Sequence, residues 1–206
     1  MHTLRCVIAE WDVVRARLFH TRLGAWLLLL AAGLAWAARD DVSLAKLSVR
    51  TGLLAGVLCV AFAAGAQIDR ASLRTTLGHP TTPIALATGR WLAATIAAAL
   101  PVLGATLAGA VTVAAAPHTI IVSAVTGMAA AAAVAGGALP GVLLGGNTVA
   151  AAIAAYVVTL GMTPTRGSVL PNLGRYATPE LGGILHAACW ACGGVLLATL
   201  FLARRR

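Results

Sequence analysis

Between residues 23 and 203 the chain is a succession of apolar runs, broken by only a few polar stretches. A bilayer core of about 30 Å needs roughly 20 apolar residues per helix. Several of these runs reach that length, so the chain reads as an all-α integral membrane protein. Composition agrees. Charged residues make up 10% of the 206 residues, against about 25% in soluble domains. That deficit is too large for a water-facing surface. The net charge of +9 comes without a basic patch interleaved with aromatics, so it argues for membrane orientation and against nucleic acid as a partner. Ala and Gly dominate, which suits close approach of helices. Of the four cysteines, Cys59, Cys189 and Cys192 fall in apolar segments and imply no disulfide framework. No cleavable signal peptide is evident, and the chain reads as a single membrane domain over 1–206.

Residues 1–22 form the entry to that domain, and 23–206 the bundle. Leu4, Val7, Ile8, Trp11, Val14 and Leu18 recur at spacings of three and four, giving one apolar stripe over 4–18. The stripe is too short and too charged to span. It predicts an amphipathic helix lying in the bilayer interface, with Trp11 at headgroup depth and Arg15, Arg17 and Arg22 near phosphates. Six apolar spans follow, at about 23–38, 49–68, 91–116, 119–139, 147–162 and 182–203. The first and fifth are short, so a count of five stays open. Pro101 predicts a kink in the third. The break LPGVLLGGN between the fourth and fifth is either a tight turn or part of a broken helix.

With the N-terminus inside, Arg5, Arg15, Arg17, Arg22, Arg70, Arg74, Arg90 and Arg204 to Arg206 are cytoplasmic. They outnumber Arg39, Lys46, Arg50, Arg166 and Arg175, which fall in the loops opposite. The bias puts both termini inside.

The polar interruption at 67–91 is then cytoplasmic and reads as two pieces. Asp69 is a good N-cap and Gly78 a good stop for a short helix over 70–77. Leu73 and Leu77 share one face, with Arg70 and Arg74 on a neighbouring basic edge. After His79-Pro80, Thr82 caps a second helix with Pro83 at its first position, running into span three with Arg90 and Trp91 at the interface. The loop over 163–180 carries three prolines and two glycines but also Val169, Leu170, Leu173 and Tyr176. It either dips back into the outer leaflet or lies in the interface, or else it is a plain exposed loop.

Catalytic motifs are missing from the sequence. It has no Walker A motif, no H-E-x-x-H and no G-x-S-x-G, and its single lysine, Lys46, falls in a predicted loop. An enzyme is not expected. All six carboxylates sit outside or at the ends of spans, which argues against a proton-coupled carrier. His186, Cys189 and Cys192 are spaced by three on one broad face of the last span. Soft metals bind such side chains, but a structural site wants about four ligands, so packing is the expected role. No metal or other cofactor is expected on this chain.

The order of these parts resembles the membrane permease subunits of ABC-2 type exporters. The resembling pieces are 4–18 as an elbow helix, 69–78 as a coupling helix between spans two and three, and 169–178 as a re-entrant element before span six. The segment DRASLRTTLGHPTTPIALATGRWLA carries the closest likeness. Within that group, the length and the stretch RWLAATIAAALPVL are also similar to the haem-exporter B subunit of cytochrome c maturation. The resemblance implies a multi-pass protein of the bacterial inner membrane, pairing as a homodimer or heterodimer with a second permease. It implies a separate P-loop ATPase that binds ATP and Mg and docks on Asp69, Arg70, Leu73, Arg74 and Leu77. The cargo would be hydrophobic or lipid-like. Two other classes stay open: a structural or assembly subunit of a larger membrane complex, and a small secondary transporter.

Overall fold

A computed structural model describes residues 4–5, 8–9, 11–12, 15–16, 33, 38–65, 82–163, 169–178 and 180–204. The described residues are helical or in turns, with no strand among them. The elements are α1 (Asp41–Gly65), α2 (Pro83–Val113), α3 (Pro117–Tyr156), a π-helical turn (Val157–Gly161), α4 (Leu173–Tyr176) and α5 (Leu181–Arg204). Four segments are long and apolar enough to cross a membrane: Asp41–Ala61, Pro83–Val113, Pro117–Gly145 and Leu181–Arg204. They establish the helical, membrane-compatible class. The predicted first span falls outside the described residues except for Gly33 and Ala38.

α1 starts well before the predicted span at 49. Asp40 accepts the Ser43 backbone N–H on Oδ1 at 2.7 Å, and Ser43 Oγ accepts the Asp40 N–H at 2.9 Å. This reciprocal capping box satisfies backbone donors that the first turn leaves orphaned. Lys46 and Arg50 therefore lie on a helix and not in a loop. Together with Val42 they occupy exposed positions four residues apart, while Leu44, Leu47, Ser48 and Thr51 turn inward.

α2 begins as expected. Thr82 is extended, its hydroxyl accepts the Ala85 N–H at 3.3 Å, and Pro83 opens the helix. The helix then runs without interruption past Pro101 to Val113. Ala114 ends it in the left-handed conformation (φ 52°, ψ 44°), its N–H bonded to Ala110 O. Two further residues lead into α3.

α3 differs most from expectation. Its backbone is helical through all 40 residues, where two separate spans were predicted. A straight helix of that length would reach about 60 Å, roughly twice a bilayer core. It is not straight. A Cβ placed on Gly141 would lie 3.0 Å from Val149 and 3.5 Å from Ile153, twelve positions on and so about 18 Å away along a straight axis. Val134 and Val157 also join one hydrophobic cluster. The axis therefore folds back between Gly141 and Val149, giving a long first arm and a short second one. The second arm runs from the fold-back through the π-helical turn to Gly161.

Order of contacts fixes the helix directions. Ser48, Gly52 and Gly56 of α1 meet Ser123, Gly127 and Ala131 of α3 in rising sequence, so α1 and the first arm run parallel. On α5, Ala187 packs near Ala130 and Val134, and Ala191 and Gly194 meet Gly136, so α5 is parallel too. α2 runs opposite: Gly109 faces Leu44 and Leu47, while Leu86 shares a cluster with Val60.

Candidate functional site

The predicted docking residues Asp69, Arg70, Leu73, Arg74 and Leu77 lie outside the described residues, as does His79. On their C-terminal side the described chain resumes at Thr82, which caps α2 at Pro83. Arg90 and Trp91, expected at the interface where α2 enters the membrane, both pack within the helix bundle. Arg90 is 1% exposed. Trp91 is half-buried and donates from Nε1 to Ala132 O at 3.1 Å, tying α2 to α3. Both face helix neighbours because α2 is already in the bundle one turn past its cap.

At the N-terminus, the described residues are helical. Trp11 is half-buried and packs against the cluster that contains Cys59, Val60 and Leu86. Arg15 is exposed and pairs with Asp12 at 3.5 Å. Arg17 and Arg22 lie outside the described residues.

The region before α5 is the most elaborate part of the described chain. Pro171, Asn172, Leu173 and Tyr176 are all buried, so this is not a plain exposed loop. Asn172 caps the short α4, accepting the Arg175 N–H at 3.2 Å, and its Nδ2 donates to Leu170 O at 2.9 Å. Leu173 and Tyr176 share a cluster with Leu53 and Val57 of α1, Val134 of α3 and Ala187 of α5. Leu53 is about 18 Å along α1 from its capped end, at ~1.5 Å per residue. The segment thus descends about half-way down the bundle. Three features permit this depth. The second arm of α3 is short, Asn172 satisfies local backbone groups, and Gly183 leaves room for the Arg175 carbonyl, 2.8 Å from where a Cβ would sit.

A clasp holds the descending segment to α5. Val169 O lies 2.7 Å from His186 Nε2 and 2.8 Å from Trp190 Nε1, and His186 Nδ1 lies 2.8 Å from the Tyr176 hydroxyl. A carbonyl only accepts, so Nε2 carries the proton and donates to Val169 O. Nδ1 then accepts from Tyr176, and Trp190 donates to Val169 O as well. Trp190 Nε1 also lies 3.1 Å from His186 Nε2, which as a donor cannot accept from it, so the indole hydrogen goes to Val169 O.

Beneath the clasp is a cavity of about 310 Å³, lined by residues of both arms of α3, by Leu170 and Pro171, and by the Trp190 ring. Its polar hydrogens are used: Tyr156 donates to Pro171 O at 3.3 Å, and Trp190 to Val169 O. It presents an apolar surface.

The His186, Cys189 and Cys192 spacing does not converge. His186 turns into the clasp while both cysteines are exposed, and no group of three or more His, Cys, Asp or Glu side chains suited to a metal occurs among the described residues. Trp190 and Tyr156 were not singled out from the sequence. The available signal was Trp190 four residues after His186, which puts the two on one helix face.

No protein-family model matches the chain, and comparison with curated proteins gives no match.

Proposed function

We propose that this chain is the membrane-spanning permease subunit of an ATP-binding-cassette exporter, of the kind formed by ABC-2 type permeases. It would pair with a second permease and act with a separate P-loop ATPase in a bacterial inner membrane. The observation that carries the reading is the join between the polar stretch before Thr82 and the bundle. α2 is capped at Thr82, opens with Pro83, and has Leu86 and Arg90 buried within two turns. A force applied to the preceding residues would pass into the bundle along one helix, since packed helices move as rigid bodies. The descent of 171–176 before the last long helix also accords with this architecture. A hydrophobic or lipid-like cargo accords with the apolar interior.

The docking residues would be Asp69, Arg70, Leu73, Arg74 and Leu77. Reversing two charges there tests the reading: Arg70→Glu with Arg74→Glu, in protein purified from its native membrane. Wild type should carry a P-loop ATPase subunit and ATP hydrolysis with it, and the double variant should lose most of both while keeping its thermal stability. A wild-type preparation without such an ATPase, or a double variant with undiminished association, would reject the assignment.

A further inference from the structure

The cavity between the two arms of α3 points to a ligand of its own. We propose that it holds an acyl chain of a bilayer phospholipid. The inference rests on the membrane placement of the four long helices and not on pairing with an ATPase.

The cavity's position comes first. Val134 and Ala138 line it, and they lie about 25–32 Å along α3 from Pro117, at ~1.5 Å per residue. The long first arm ends at the fold-back between Gly141 and Val149. The cavity therefore opens in the half of the bundle nearer the fold-back, below the descended 169–171 segment that roofs it. At such a depth in a spanning bundle, the surrounding medium is hydrocarbon.

Other occupants are disfavoured. A buried water needs about two to four polar partners. Here the Tyr156 and Trp190 hydrogens are already donated, and the Val169 carbonyl takes two donors. An apolar cavity of this kind stays dry. Left empty, its lining would lose dispersion contacts outright. An alkyl chain is narrow and flexible. It would lie between Ala138 and Ala152, against Ile153 and the Trp190 ring.

Photolabelling tests this. The full-length protein is placed in nanodiscs of phosphatidylethanolamine and phosphatidylglycerol, doped with a phospholipid bearing a diazirine in its acyl chain. Adducts are located by peptide mass spectrometry. Leu196, Leu197 and Leu200, exposed on α5, serve as the control for ordinary lipid contact. Wild type should carry adducts on 134–138, 152–157 or Trp190. Ala152→Phe fills the cavity from an exposed position, so it should lower those adducts several-fold and leave the α5 adducts unchanged. If Ala152→Phe does not give monodisperse protein, Ala152→Leu replaces it with the same expectation. Wild-type adducts confined to α5, or cavity adducts undiminished in the filled variant, would overturn the proposal.

Discussion

Two interfaces of α3 have opposite characters. Along its first arm, α3 meets α1 with almost nothing between the backbones. A Cβ on Gly52 would overlap the Gly127 carbonyl, and one on Gly56 would come within 2.7 Å of Ala131 O. Ser48 donates across the seam to Ser123 O at 2.6 Å, with Thr106 of α2 hydrogen-bonded to Ser48 at 2.9 Å. Between its own two arms, the same helix leaves about 310 Å³ unfilled. On α3 itself both sides are mostly small and aliphatic, with Tyr156 the aromatic exception at the cavity. The difference is geometric. Parallel straight segments can bring glycines into register, while a helix that folds back diverges from itself, and the wedge opened is wider than Ala138 and Ala152 can fill.

The largest effect expected from breaking this contrast is at the seam. Gly56→Leu puts a side chain where backbone already stands, so the helices must separate. Overpacking typically costs ~1–3 kcal/mol, and a backbone obstacle puts this case at the upper end. A lowered midpoint in denaturant unfolding of the detergent-solubilised protein checks it. The cavity should behave oppositely, with Ala152→Leu leaving that midpoint unchanged or higher.

A smaller effect is expected at the clasp. His186→Ala removes the acceptor from the buried Tyr176 hydroxyl and one of two donors from Val169 O. An orphaned buried polar group costs about 1–3 kcal/mol. Amide hydrogen exchange should quicken at 169–176 and remain slow along the α1–α3 seam. Equal quickening in both regions would show that they are not separate units.

The smallest effect concerns the α1 cap. The Ser43 backbone N–H, and then its hydroxyl, hold the Asp40 carboxyl below its usual range. A depressed pKa means that this contribution is present above the unfolded value, near 3.8, and is lost as pH falls through the folded value. Amides at the start of α1 should exchange faster only in that acidic window. Asp40→Ala should remove the pH dependence, and its persistence in the variant would assign it elsewhere.

Several elements were legible before any coordinates. Thr82-Pro83 announced the start of α2 because an extended capping residue followed by proline satisfies local geometry alone. The cap of α1 was equally local, as Asp40 and Ser43 three residues apart, but the charges of Lys46 and Arg50 masked it. Those charges are tolerated because they share one outward face with Val42. The descent of 169–178 was readable as one of two alternatives, since its prolines and its apolar residues point in different directions. Its depth depends on Leu173 and Tyr176 finding α1, α3 and α5 at once.

The sequence by itself determined that the chain is helical and membrane-compatible, because apolar run length and capping chemistry act within a few residues. Only the tertiary structure decided that α3 keeps helical backbone through Pro140 and still folds back, that Trp190 and His186 grip one carbonyl, and that a cavity opens between the arms. Those outcomes depend on which distant surfaces meet. In a chain so rich in Ala and Gly, many surfaces are alike until packing chooses among them.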